Sequence, residues 1–153
     1  MTLAADAGVD MRVELSNLEQ CIISTEETVT LMDIENAEES LQINDLDTSC
    51  RHRAQAVKSM HQMGADVKER LGRLDAAITQ SATNTASKAM QLAQSDMAAK
   101  DFAKAQKALT QAMTCLKGIG WHWVDNGVRL QFEEVERDLQ ALAAEATSVA
   151  SSV

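Results

Sequence analysis

A chain of 153 residues that is 45% hydrophobic but only 3% aromatic has enough material for one domain with an aliphatic core. It contains no proline, which permits long helices. Its formal net charge of −9 argues against direct nucleic-acid binding, because phosphates are met by clustered Lys and Arg.

Met1–Asp10 has no basic leader or apolar run and reads as a flexible N-terminus, 1–9, rather than a signal peptide. No stretch approaches the roughly 18 apolar residues of a membrane span. Cys21, Cys50 and Cys115 are widely spaced and form no Cys-x-x-Cys pair, so buried, reduced thiols in a cytoplasmic or nuclear protein are expected.

Charge is unevenly distributed. Residues 1–47 hold 12 acidic side chains against 1 basic one, whereas 48–80 hold 6 basic against 3 acidic. Across the same region, apolar residues recur at alternating steps of four and three. The series runs Met11, Leu15, Leu18, Ile22, Thr25, Val29, Met32, Asn36, Glu39, Ile43, Leu46. It continues through Cys50, Arg53, Val57, Met60, Gly64, Val67, Leu71, Leu74 and Ile78, with fifteen of the twenty positions apolar. Such persistence is a heptad seam rather than chance spacing.

The seam admits one continuous rod or two helices, 10–43 and 48–80, folded back near residue 46. Charge favours the antiparallel hairpin. Folding back sets Glu38 and Glu39 near Arg51 and Arg53, Asp33 near Lys58, and Glu19 near Arg70 and Arg73. Exposed pairs of this kind are worth about 0.2–1 kcal/mol each and select register more than they stabilise. Asp47, Thr48 or Ser49 would cap the second helix.

The polar run Ser81–Thr85 predicts a break, with Asn84 or Thr85 capping a helix over 85–99. Asp101 predicts the N-cap of the next helix, 102–117, whose stripe is Phe102, Ala105, Leu109, Ala112, Met113 and Leu116. Small Ala93 and Ala105 would let these two axes approach closely. The pair resembles one tetratricopeptide unit, but no second copy follows, which argues against a solenoid. Gly118 and Gly120 end the helix, and a last one covers 122–148 with Val128, Phe132, Val135, Leu139 and Leu142 on one face. The expected fold is all-α: a bundle of about five helices, in which 81–150 packs as a three-helix portion against the 10–80 hairpin.

Trp121 and Trp123 cannot both point inward from one helix, since alternate residues are about 200° apart. Trp123 is expected in the core, with Trp121 partly exposed. Tryptophan and arginine are enriched at binding hot spots, so Trp121, Trp123 and Arg129 are the candidate partner-binding residues.

The run Lys88, Met90, Leu92, Met97, Phe102, Ala105, Trp123, Arg129, Leu130 also resembles the helical domain shared by the steroid receptor RNA activator protein and the carboxy-terminus of the COPII outer-coat scaffold subunit. The matching motifs are Phe102-Ala103-Lys104-Ala105 and, some twenty residues on, Trp123-Val124-Asp125-Asn126-Gly127-Val128-Arg129-Leu130. The glycine stands one place later than in that family, and Trp121 is additional. The resemblance implies a helical bundle that binds proteins and has no catalytic activity.

Catalytic chemistry is hard to assemble from the remaining residues. His52 and His61 fall near opposite helix faces, and no Glu-x-x-His metal pair exists. The acidic group Asp33, Glu35, Glu38 and Glu39 reads as a solvated face opposite the basic arm rather than a cation site. His122 has no evident partner and reads as structural or exposed. Met60, Met63, Met90, Met97 and Met113 read as core filler before groove or haem ligand. No phosphate loop or nucleophile elbow is found.

The expected function is therefore a non-enzymatic protein-interaction module (an adaptor, coregulator or subunit of a larger assembly), without cofactor or metal. The acidic first helix would serve as a second contact surface. Two alternatives remain: a small-ligand or cofactor-binding bundle lined by Met and Trp, and a coiled-coil oligomer pairing through the 11–78 seam.

Overall fold

A computed structural model describes residues 2–59 and 64–151, and for 2–10, 23, 24, 150 and 151 it describes the backbone alone. The fold is all-α. Among the described residues there are five α-helices and no strand: α1 (Thr2–Gln42), α2 (Leu46–Lys58), α3 (Ala65–Ala98), α4 (Phe102–Ile119) and α5 (Asn126–Ser151). Trp121–Trp123 forms a single 3₁₀ turn between α4 and α5. No described helix is long and apolar enough to cross a membrane.

The first half folds back at residues 43–45, close to the expected turn, although among the described residues none of the expected charge pairs forms. Asn44 adopts a left-handed φ of 60°, and its N–H donates to the Leu41 carbonyl while that of Asp45 donates to the Ser40 carbonyl. The Asp45 carboxylate then accepts from the Thr48 N–H at 3.1 Å and from the Thr48 hydroxyl at 2.7 Å, capping α2. The cap therefore lies two residues ahead of the expected Asp47–Ser49. The α3–α4 turn repeats this device. Lys100 takes φ 60°, Lys100 and Asp101 N–H donate to the Met97 and Asp96 carbonyls, and Asp101 caps α4 as expected. Each pair satisfies helix-end carbonyls and the first N–H groups of the next helix within two residues.

Several helix boundaries differ from the sequence expectation. The expected helix over 48–80 is interrupted: α2 ends at Lys58 and α3 begins at Ala65. The expected break at 81–85 is absent, and α3 runs through it without interruption. Ala82 and Ala86 are fully buried there, and the Thr85 hydroxyl donates back to the Ser81 carbonyl at 2.9 Å instead of capping a new helix. Packing of the small face outweighs the weak helix preference of Ser, Thr and Asn. At the chain's start, α1 already begins at Thr2 rather than near residue 10.

α3 is the spine, in contact with every other helix. Its buried stripe starts with the branched residues Val67, Leu71, Leu74 and Ile78 and continues with Ala82, Ala86, Ala89 and Ala93. The branched half meets α1 and α2. The alanine half admits α4 closely, through Ala105 and Ala112, and both Ala93 and Ala105 are fully buried. α1 runs parallel to α3, with Glu38 beside Arg70 and Asn44 near Ser81. α5 also runs parallel to α3, with Asp125 beside Thr83 and Asp138 near Gln94.

The charge pairs change with the topology. Arg70 makes a bidentate contact with Glu38 (2.9 and 3.3 Å), and Arg53 does the same with Asp75 (2.6 and 3.2 Å). Arg51 pairs within its own helix with Asp47, and Asp33 lies 3.7 Å from His52 rather than beside Lys58. Because α2 is only 13 residues long, it cannot cover α1 as far as Glu19. A buried Ser49 hydroxyl donates to the Ala37 carbonyl at 2.8 Å, tying α1 to α2 where small residues bring the axes together. Among the described residues no buried side-chain polar atom lacks a hydrogen-bond partner.

Candidate interaction surfaces

Gly120 shapes the first surface. Its φ of +106° is strained for any side chain, and a Cβ there would come within 2.6 Å of the His122 ring. The chain turns sharply off α4 at this point, and the 3₁₀ geometry sends its two indoles to different environments. α5 consequently starts at Asn126 rather than 122, with the Asp125 carboxylate accepting from the Val128 N–H at 3.3 Å.

Trp123 is 8% exposed and belongs to the core, as expected. The Arg53 guanidinium lies 4.9 Å from its ring centroid, so one cation faces both the Asp75 carboxylate and an indole. Asp75 holds Arg53 firmly protonated, pushing its pKa above the usual guanidinium value. This triad joins α2, α3 and the 3₁₀ turn, and its role is to join the two halves of the fold. Of the three candidate partner-binding residues, Trp123 therefore offers the least surface.

Trp121 is half-buried, as expected. Its ring tilts against Phe132 with centroids 5.4 Å apart, and Arg129 lies 5.8 Å from its centroid while also approaching Glu133 at 3.6 Å. The neighbouring Leu130 is largely exposed. Trp121 and Arg129 thus form a small surface pair in which an indole and a guanidinium are already partly ordered.

The second surface is larger. Met11, Leu15, Leu18, Ile22, Val29 and Met32, all seam positions of α1, are exposed, with Met11 at 64% and Met32 still at 56% where α1 is held by the bundle. α1 packs through a different stripe: Thr30, Ile34 and Ala37 are fully buried and Leu41 is half-buried. At about 100° per residue the two stripes lie roughly 120° apart around the helix. The expectation that the seam forms the hairpin's core therefore fails for α1, although Leu46, Val67, Leu71, Leu74 and Ile78 of the same series are buried.

Other candidates are less productive. His122 is exposed and lies against Trp123, with ring centroids 5.1 Å apart. Cys21 is exposed, contrary to expectation, whereas Cys50 and Cys115 are half-buried and burial raises both thiol pKa values, which disfavours the reactive thiolate. The acidic group of α1 is dispersed, with Glu38 on Arg70 and Asp33 near His52, and among the described residues no three His, Cys, Asp or Glu side chains converge. Met90 is buried, and Met97 and Met113 are half-buried against the core. Met60, Met63 and His61 lie outside the described residues. A cleft of about 480 Å³ between α1 and α3 is lined by Leu41, Leu74, Ala77 and the Glu38–Arg70 pair, without Met or Trp.

The acidic seam helix was identified from sequence as a contact surface, but the separation of its seam from its packing face was not. The available signal was modest: a second 4–3–4 series, Thr30, Ile34, Ala37 and Leu41, built of smaller and less hydrophobic residues. No family model matches the chain, and neither a curated protein nor a solved structure is similar to it.

Proposed function

We propose that this chain is a non-enzymatic helical interaction module, an adaptor, coregulator or subunit of a larger intracellular assembly. The observation that carries this reading is the uncovered apolar seam of α1. Contiguous exposed apolar surface along a helix marks a site for a partner. Trp121 and Arg129 supply a second contact of the residue types that dominate binding hot spots. The resemblance of residues 85–130 to a protein-binding helical domain points the same way.

Affinity capture with the full chain tests the reading. Wild type is compared with Trp121→Ala and with the double variant Leu18→Ser/Ile22→Ser. Recovery of at least one specific partner is expected to fall several-fold in one variant or the other. Undiminished recovery of every partner in both variants would remove the two proposed surfaces.

A further inference from the structure

We infer that the α1 seam forms a two-stranded coiled coil with a helix of another protein that carries Lys or Arg along both flanks of its own apolar seam. The inference rests on the interaction reading above and names the partner that the second surface takes.

The stripe by which α1 packs, Thr30, Ile34 and Ala37, becomes mainly polar upstream, where by helical register Glu26, Glu19, Ser16 and Arg12 share the face with a single apolar position, Ile23. That face cannot bury against the chain's own bundle beyond Thr30 without desolvating charges. The seam, 120° away by the helical repeat, keeps its apolar pattern from Met11 to Met32 and is exposed throughout. Two stripes of different extent on one helix serve two different neighbours.

Heptad composition then gives the strand number. Leu15, Ile22 and Val29 fall at a, and Met11, Leu18, Thr25 and Met32 at d. The central heptad, with β-branched Ile22 and Val29 at a and Leu18 at d, follows the pattern that favours two strands over three or four. Asn36 follows at the next a position and is exposed, as a register-fixing polar residue at the seam's end would be. At 1.5 Å per residue the seam from Met11 to Met32 is about 32 Å long, or three heptads.

Charge selects the occupant. The flanking e and g positions carry Glu14, Glu19, Glu26, Asp33 and Glu35 against the single cation Arg12. Glu14, Glu19 and Glu26 join no ion pair among the described residues. Pairing with a second copy in parallel would set Glu14 opposite Glu19, since g meets the e position five residues on. Antiparallel self-pairing over the full seam would set Glu19 against Glu26 and Glu14 against Glu35, with Arg12 against Asp33 the one favourable match. A helix with basic e and g positions turns each of these repulsions into an attraction, so charge sets partner choice while the apolar seam supplies affinity.

The test uses three synthetic 28-residue helical peptides with the full chain. One carries Ile at a, Leu at d and Lys at e and g. A second has Glu at e and g, and a third is a scramble of the Lys peptide with no heptad. Fluorescence anisotropy at physiological salt is expected to give at least tenfold tighter binding for the Lys peptide than for either control. Leu18→Ser/Ile22→Ser should weaken it at least tenfold, with unchanged thermal unfolding of the bundle, and Trp121→Ala should leave it intact. Sedimentation should show a monomeric free chain and a 1:1 complex. Equal binding of the scramble, or indifference to the seam variant, would overturn the proposal. So would concentration-dependent dimerisation of the free chain that the seam variant abolishes, which would leave the broader interaction reading standing. A monomer that binds no peptide also overturns the proposal, and the capture experiment with Trp121→Ala then judges the interaction reading alone.

Discussion

The region around Phe132 and the first two-thirds of α1 are both amphipathic helix with regular apolar spacing, yet they end in opposite states. Phe132 and Leu139 of α5 are 1% exposed against α3 and α4, while Leu15 and Leu18 of α1 are more than half exposed. Periodicity identifies a helix and the face that wants covering. It does not identify what covers it. That depends on whether a neighbour of sufficient length lies alongside, and α2 at 13 residues is too short to reach past Thr30.

The sharpest way to break this comparison is to truncate one side chain in each region. Phe132→Ala removes a fully enclosed ring that also supports Trp121, and should cost about 3–5 kcal/mol. Leu18→Ala removes a side chain already in water and should stay within about 0.5 kcal/mol of wild type. Denaturant unfolding of both variants measures the contrast. A cost above about 1 kcal/mol for Leu18→Ala would mean that the first part of α1 is covered in solution by something this chain supplies.

A smaller effect should come from the joint between the halves. Arg53 donates two hydrogen bonds to Asp75 and stacks near Trp123, so Arg53→Met leaves a carboxylate without its partner. Hydrogen bonds to charged groups are worth about 1.5–3 kcal/mol. The lower end is expected, because Arg53 and Asp75 side chains remain 28% and 34% exposed. Arg53→Lys should recover little, since a single ammonium cannot reproduce the planar fork. Recovery to wild-type stability in the Lys variant would show that charge alone matters at the joint.

Much of this architecture can be read from residue order, and the misreadings have physical causes. The absence of proline and the 3.6-residue periodicity establish an all-α chain, and Asp101 caps α4 where expected. The divergence of the indoles is as expected, with Trp123 buried and Trp121 half-buried, but they sit on a 3₁₀ turn ahead of α5 rather than on one α-helix. Ser81–Thr85 misleads because local preference favours a break, whereas the tertiary packing of Ala82 and Ala86 rewards continuity. The packing stripe of α1 is obscured because Thr30 and Ala37 contribute little hydrophobicity while fitting a close approach to α2, marked by the Ser49–Ala37 bond. The heptad seam beside it is the stronger pattern and the uncovered one. For the surface cluster, Trp121 and Arg129 were identifiable by residue type, but their contact through the ring face required the turn at Gly120.

The smallest expected effect concerns the turn that makes the comparison possible, since folding back at Asn44-Asp45 decides how much of α1 is covered. Hydrogen bonds from the Thr48 hydroxyl and then the Thr48 N–H hold the Asp45 carboxyl below its ordinary value of 3.8, with Arg51 adding a minor attraction. A depressed folded-state pKa means that the charged cap stabilises the fold above the unfolded value, and that this contribution is lost as pH falls through the folded one. Asp45→Ala should therefore melt at lower temperature than wild type at neutral pH, with the gap closing below about pH 4. Asp45→Asn keeps a capping oxygen without a titratable group and should hold a pH-independent difference from Asp45→Ala. Melting curves of the three proteins between neutral and acid pH read this directly, because the other carboxylates are common to all. A wild-type-to-alanine gap that persists unchanged into acid would mean that the turn is set by the left-handed Asn44 and the backbone bonds around it, not by the charge of its neighbour.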